Sequence, residues 1–353
     1  MERWKPLKIG ELIARKPLIQ GGMGVGISLS SLAGAVAKEG GIGVISAAQI
    51  GYKEPEWENN PLEANLKAIE KEIKKAREIA NDGILGINIM VATRFYERYV
   101  KKAIESGIDL IISGAGLPTE LPAYISGSKV KIAPIVSTLK SIQVISKYWE
   151  RKYQKQPDLV VIEGPQAGGH LGFPVDELEK LEKRNSYEYD NEVRQILDFV
   201  KKLERKENIK IPVVVAGGIY DKKDMEHYIE LGADGIQVGT RFVTTYECDA
   251  SREFKEAYLN ASKEEIELVK SPVGMPARGL KNLLVKEFNK PDKCYQCIKK
   301  CNPAEIPYCI TKALIRAVKG DVEKGMVFCG ANAYRANKME TVKEVMDSFF
   351  GKH

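Results

Sequence analysis

Two apolar runs in this chain end in glycine-rich turns, and one of those turns carries a histidine. The first is Leu159-Val-Val-Ile-Glu163-Gly-Pro-Gln-Ala-Gly-Gly-His170; the second is Pro212-Val-Val-Val-Ala-Gly217-Gly218-Ile, followed by Gly232-Ala-Asp-Gly-Ile-Gln-Val-Gly239-Thr240-Arg241. A β-branched run of this kind reads as a buried parallel strand. Glycines at its end let the backbone approach a ligand closely. Two consecutive strand–helix units that end this way build a phosphate cradle. A histidine beside the cradle titrates near neutrality and can donate a hydrogen bond or shuttle a proton. The chemistry indicated is a small substrate held at His170, next to a phosphorylated cofactor. The bland alternative is that His170 only bonds its own loop. Of the other two histidines, His227 falls in a helical pattern and His353 is terminal, and both are expected to be solvated.

Those residues need strands to place them. Eight candidates run along the chain: Pro17–Gln20, Gly41–Ser46, Ile84–Met90, Leu110–Ser113, Lys131–Val136, Leu159–Glu163, Pro212–Ala216 and Gly235–Val238. Helical patterns at Leu29–Glu39, Pro61–Ala80, Tyr96–Ser106, Ser141–Tyr153 and Asp221–Leu231 alternate with them. Short buried strands alternating with amphipathic helices predict an α/β fold with a parallel sheet, and eight units favour closure into a (β/α)8 TIM barrel. The barrel is expected over residues 1–245, with a charged insertion at 171–210 that holds a helix at Asn191–Glu204. A smaller, mostly helical appendage is expected over 246–353, packing near the active-site face. Barrel sites lie at the C-terminal strand ends. Those ends here are Gln20-Gly21-Gly22-Met23, Asn88, Glu163-Gly164, Gly217-Gly218 and Gly239-Thr240, with Ser46 and Ser113 between them. Small residues leave room for a flat ring, and backbone N–H groups supply donors for anionic oxygens. A helix starting near Gly239–Thr240 would add its dipole.

Six motifs in barrel order carry a family resemblance: IQGGMG at 19–24, GGIGVIS at 40–46, GINIMV at 86–91, EGPQAGGHLG at 163–172, VVVAGGI at 213–219 and GADGIQVGTRF at 232–242. The chain resembles the nitronate monooxygenase family (formerly 2-nitropropane dioxygenases), which includes the flavin-dependent enoyl-acyl-carrier-protein reductases of type II. The likeness covers roughly residues 17–245 and the Pro276–Asn282 segment. It implies an FMN-binding barrel with an added domain. Gly217, Gly218, Gly239 and Thr240 would hold the FMN phosphate, and Gln20, Gly21, Gly22 and Met23 would run along the isoalloxazine. Asn88 would bond a polar edge of the ring or ribityl chain. Ala167, Gly168 and Gly169 would pack near the flavin, with His170 over its reactive part. Glu163 would either bond the ribityl hydroxyls or orient the loop that carries His170. The implied function is oxidation of alkyl nitronates with O2; the alternative is NAD(P)H-dependent reduction of an enoyl thioester. Two departures keep both open. The stretch Ala133-Pro134-Ile-Val-Ser137 lacks a lysine common in the monooxygenase branch, and Gln166 stands where glutamate is common in both branches. The Ser271–Gly279 loop could return to cover the site, with Arg278 meeting an anionic substrate or phosphate; the alternative is a surface loop with an ordinary salt bridge.

A separate signal is Cys294-x2-Cys297-x3-Cys301-x7-Cys309. Thiolates so spaced can chelate one metal centre. The pattern resembles iron–sulfur segments of some flavin-dependent enoate reductases, with a shorter last gap. A [4Fe–4S] cluster, a zinc ion and free thiols are the three readings. Cys248, just after the last strand, reads as a small buried residue.

Composition narrows the classes. The chain has 353 residues, 44% hydrophobic and 29% charged, with a net charge of +6. That charge is mild, and the lysines of Lys67–Arg77 are interleaved with glutamates, so a solvated helix face is expected rather than a nucleic-acid surface. No apolar run approaches the ~20 residues that span a bilayer. The N-terminus lacks the apolar core of a signal peptide, and six cysteines without one suggest reduced thiols or metal ligands in a cytoplasmic protein. The expected partner is a small-molecule substrate; a homodimer is compatible with the sequence.

Overall fold

A computed structural model describes residues 4–183, 189–281, 291 and 293–352. Its strands are β1 Leu7–Ile9, β2 Leu12–Ala14, β3 Leu18–Gln20, β4 Ile42–Ser46, β5 Ile84–Asn88, β6 Leu110–Ser113, β7 Lys131–Val136, β8 Val160–Glu163, β9 Gly169–His170, β10 Val213–Ala216, β11 Gly235–Val238, β12 Ile266–Lys270 and β13 Pro276–Leu280. Eight of them close a parallel barrel in the order β10-β11-β3-β4-β5-β6-β7-β8. The eight strands expected from the sequence are these eight.

The reason is that each strand buries both faces, so its residues read as one apolar run. Inward positions such as Ile19, Val44, Ile112, Val161 and Val214 form one buried cluster. Outward ones such as Ile45, Ile87, Ile162 and Val215 pack on helices. Leu7 and Ile9 of the β1–β2 hairpin join the inner cluster, and Lys131 at the start of β7 meets Glu11 of the hairpin turn at 2.6 Å. The hairpin therefore stoppers the N-terminal end of the barrel and leaves the opposite end for the site.

The helices are α1 Ser30–Lys38, α2 Pro61–Ala80, α3 Tyr96–Glu105, α4 Leu121–Tyr124, α5 Leu139–Tyr153, α6 Val175–Lys183, α7 Tyr189–Glu207, α8 Lys222–Leu231, α9 Thr240–Val243, α10 Arg252–Leu259, α11 Ile310–Val318 and α12 Val342–Phe350. Starts are fixed by local chemistry. Asn60 caps α2, with Pro61 at its first position, and reciprocal capping boxes join Thr138 with Ser141 at α5 and Asp221 with Asp224 at α8. The connections from β7 to the α5 cap and from β10 to the α8 cap are short and hold those loops of the open face in place.

The insertion at 171–210 contains α6 and α7, and its residues 184–188 lie outside the described ones. Tyr189 anchors the return: its hydroxyl donates to the Ser137 carbonyl at 2.7 Å, and Phe173 packs edge-on to its ring at 5.7 Å. His227 is not simply solvated, because its Nε2 lies 2.9 Å from the buried Asp190 carboxylate and ties α8 to α7. The appendage adds strands as well as helices. β12 and β13 pair antiparallel, and β13 pairs with β9 of the barrel loop. Phe254, Tyr258, Val345, Met346 and Phe349 share one core with Leu18, Val36, Ile236 and Val238, so barrel and appendage pack as one body. Asn282, the last residue of the Pro276–Asn282 motif, lies outside the described residues.

Candidate active site

One cavity of about 290 Å³ opens at the C-terminal ends of the barrel strands. Its floor and near wall bring together Gly21, Gly22 and Met23 after β3, Asn88 at the end of β5, and Glu163 at the end of β8. Ala167, Gly168, Gly169 and His170 follow on the next loop, with Gly217, Gly218, Gly239 and Thr240 beyond β10 and β11. Gln20 is the exception among the residues expected there. Its side chain is fully buried inside the barrel end, where Nε2 donates to Ser28 Oγ at 2.9 Å and Oε1 accepts from the Val44 amide at 3.1 Å. It braces the β3 turn, and the three residues after it face the cavity.

The cradle corner is made by backbone. Gly217 and Gly218 have φ of +97° and +81°, a region that L side chains rarely enter. Among the described residues, no backbone carbonyl accepts from the N–H groups of Gly218 or Gly239. Donors left unpaired on a cavity wall need an acceptor from a ligand or water. Successive N–H groups in such turns form anion-binding concavities. The expected helix contribution is small, because α9 spans four residues and carries little macrodipole. Instead the appendage lines this corner. The Gly330 amide donates to Thr240 Oγ1 at 2.9 Å, Ala331 N to the Gln166 carbonyl at 3.0 Å, and Asn332 Nδ2 to the Gly218 carbonyl.

His170 stands on the wall between cradle and appendage. Its backbone pairs with Ala277 of β13, and its ring meets Phe328 edge-on at 5.2 Å. Nε2 lies 2.8 Å from Ser271 Oγ. Burial with no anion beside it pushes its pKa down to about 4, so the ring is neutral at physiological pH. Arg278, the candidate anion partner, is turned toward the loop before His170. It is buried, and Nη1 donates to the carbonyls of Pro165 at 2.6 Å and Ala167 at 2.8 Å, clamping the loop that carries His170.

Glu163 also faces the cavity, and burial raises its carboxyl to about 7. That shift has a sign in stability. Below pH 4.5 the acid is neutral folded and unfolded, and the group costs nothing. Between 4.5 and 7 the unfolded chain ionises first, so stability falls as pH rises, and above 7 the cost is complete. Glu163→Gln should therefore raise the melting temperature of cofactor-free protein at pH 8 by roughly 2–4 °C and leave it unchanged at pH 4. Melting curves at the two pH values check this, and an equal shift at both would contradict it.

The cysteine segment forms the far rim, where Cys297 lines the cavity and accepts from Thr311 Oγ1 at 3.2 Å. Burial is the main cause that raises the pKa of Cys297, Cys301 and Cys309; Cys309 and Cys301 add to it at Cys297, Cys294 and Cys309 at Cys301, and Cys294 at Cys309. Among the described residues, however, no three His, Cys, Asp or Glu side chains are grouped to hold a metal ion. The ligand set Cys294, Cys297, Cys301 and Cys309 is thus not assembled here. The segment is held by other contacts: Tyr295 stacks on Trp57 at 4.3 Å, and the Arg94 amide donates to the Cys297 carbonyl at 3.1 Å. Cys248 is buried, with its thiol 3.6 Å from the Ile27 carbonyl.

The appendage supplies a second kind of wall. Val273, Met275, Ile310, Leu314 and Phe328 line the cavity with apolar side chains. The loop after Ser271 was expected to cover the site, and Val273 and Met275 do line the cavity; sequence reasoning did not find Phe328, Gly330 or Asn332, because all lie beyond the barrel and no spacing links them to it. Among the described residues, no helix is long and apolar enough to cross a membrane.

Comparisons with known proteins agree with this geometry. The family model described as "Nitronate monooxygenase" matches residues 5–351. A curated "Probable nitronate monooxygenase" from Staphylococcus aureus (strain Newman) is 26% identical over 326 residues, covering 81% of each chain. Among solved structures, FabK from Thermotoga maritima superposes with a TM-score of 0.70 at 25% identity, over 95% of this chain and 91% of that one. Nitroalkane oxidase from Streptomyces ansochromogenes gives a TM-score of 0.70 at 19% identity, over 95% and 94%, a likeness of fold.

Proposed function

The chain belongs to the nitronate monooxygenase family, and we propose that it is an FMN-dependent oxidoreductase that oxidises alkyl nitronates with O2. The observation that carries this reading is the pairing, in one cavity, of a backbone cradle with unpaired donors and an uncharged histidine. The residues fit the cofactor. Gly217, Gly218, Gly239 and Thr240 would take the phosphate of FMN on backbone N–H groups and the Thr240 hydroxyl. Gly21, Gly22 and Met23 would offer a flat wall to its ring, and the Asn88 amide would bond a polar edge. When bound, FMN supplies the electron transfer and O2 chemistry, and the protein supplies binding, orientation and electrostatics.

His170 then acts on the substrate as a hydrogen-bond donor. A neutral imidazole with a pKa of about 4 is a poor base at neutral pH. It donates one hydrogen bond to a nitronate oxygen and holds that anion at the wall, and it does not strip the α-proton of a neutral nitroalkane. The expected substrate form is the preformed nitronate, favoured over the parent nitroalkane by roughly tenfold or more in kcat/KM.

A second reading, NAD(P)H-dependent reduction of an enoyl thioester, is favoured by the apolar wall of Val273, Met275, Ile310 and Leu314, which suits an acyl chain. There His170 would donate to the thioester carbonyl. The likeness to FabK from Thermotoga maritima supports it at the level of family. Both readings are tested by loading the protein with FMN and measuring O2 uptake with propyl-2-nitronate against NADPH oxidation with a crotonyl thioester. Uptake with the nitronate and none with nitropropane supports the first. NADPH turnover with the thioester alone replaces it with the second, and protein that takes up no FMN overturns both.

A further inference from the structure

We propose that Ser271 is the positioning residue of His170: its hydroxyl donates to Nε2, which leaves the ring proton on Nδ1 and makes Nδ1–H the donor offered to the substrate. This deepens the role given to His170 above and rests on it.

A neutral imidazole has one N–H, so its tautomer decides whether the cavity meets a donor or an acceptor. Ser271 settles that choice. It is 2% exposed and sits in a tight turn, with its amide donating to the Met275 carbonyl at 3.3 Å and its carbonyl accepting from Gly274 N at 3.1 Å. Its Oγ also accepts from the Val273 amide at 3.4 Å. The hydroxyl oxygen thus already has a donor facing it, and its own proton is free. Among the described residues, the acceptor within reach of that proton is His170 Nε2, at 2.8 Å. Were the ring to donate instead, the buried hydroxyl proton would be left without an acceptor, a costly arrangement.

The surroundings leave little freedom besides this choice. The β9–β13 pairing fixes the His170 backbone opposite Ala277, and Phe328 sets the ring plane. Arg278 holds the preceding loop through Pro165 and Ala167. Ser271 itself is not on the cavity wall, whereas His170 is. With Nε2 engaged by Ser271, Nδ1 is the ring nitrogen left for a ligand.

The tautomer can be read without substrate, which separates this proposal from the proposed reaction. The chain has three histidines, so ring ¹⁵N spectra of histidine-labelled full-length protein are assignable with His227→Gln and His353→Gln. The expected wild-type spectrum shows protonated Nδ1 and unprotonated Nε2 at His170. Ser271→Ala should lose that preference and lower kcat with the nitronate by about tenfold, with KM changed less than about twofold. Ser271→Thr, which keeps the hydroxyl, should restore both. Protonated Nε2 in the wild type, or an unchanged His170 spectrum in Ser271→Ala, overturns the proposal. Should Ser271→Ala fail to fold, the wild-type spectrum still decides. The expected tautomer in a protein that turns over no nitronate would uphold the positioning and refute the reaction.

Discussion

His170→Ala should lower kcat with a preformed nitronate by roughly 10²- to 10⁴-fold while leaving FMN retention unchanged. The separation follows from where the groups sit. The expected cradle is Gly217, Gly218, Gly239 and Thr240, which follow β10 and β11, whereas His170 is fixed through β9, Ser271 and Phe328. Deleting the imidazole removes a side-chain donor from the cavity wall, so the substrate anion would lose a directed hydrogen bond. Steady-state O2 uptake gives the loss in kcat, and the ratio of visible to protein absorbance gives flavin occupancy. The pH profile adds a sign. Because the ring is neutral above about pH 4, wild-type activity should show no limb near pH 6.5 from His170. A limb there that disappears in His170→Ala would mean that the charged ring is the working form, contrary to the burial that holds it neutral.

The barrel was legible because its strands are buried on both faces. Val213–Ala216 and Leu110–Ser113 need no partner knowledge to be read as strands, and the glycines after Ala216 mark where the chain meets a ligand. Most of the site was legible for the same reason: strand ends converge in any barrel, so Gly22, Asn88, Glu163 and Gly218 had to share one face. Gln20 was expected beside the flavin from the resemblance, and its buried side chain bonds Ser28 and Val44 instead of lining the cavity. The cysteine spacing left a cluster, a zinc ion and free thiols as three readings, and among the described residues no three His, Cys, Asp or Glu side chains are grouped to hold a metal. That spacing permits chelation, but the segment is held by Tyr295 on Trp57 and by a backbone bond from Arg94 to Cys297. Ser271, Arg278 and Asn332 could not be found or given their roles in advance. Each acts across a chain separation of about a hundred residues, through contacts such as Arg278 to Ala167 and Asn332 to Gly218 that depend on how the appendage folds back.

The cradle gives the second large expectation: Gly217→Ala should weaken FMN binding by at least roughly tenfold, more than its cost in stability accounts for. Two effects coincide at this residue. Its φ of +97° strains any L side chain, and a Cβ would lie 2.9 Å from the Gly164 carbonyl and 3.1 Å from the Ala167 amide. Both contacts are backbone, so no side chain can rotate away, and the loop 164–167 must shift. That loop leads directly to His170 and is clamped by Arg278, so the displacement reaches cradle and histidine together. Gly107→Ala isolates the first effect. Gly107 has a similar φ of +81°, lies far from the cavity after α3, and has nothing within 4 Å of an added Cβ. Both variants should lose about 1–2 kcal/mol of stability from backbone strain, but only Gly217→Ala should lose flavin. Fluorescence titration of FMN into both apoproteins measures the difference. Equal affinities would show that this glycine serves the fold alone and that the phosphate is held elsewhere, because strain without displacement of the 164–167 loop leaves a cradle at Gly217 and Gly218 intact.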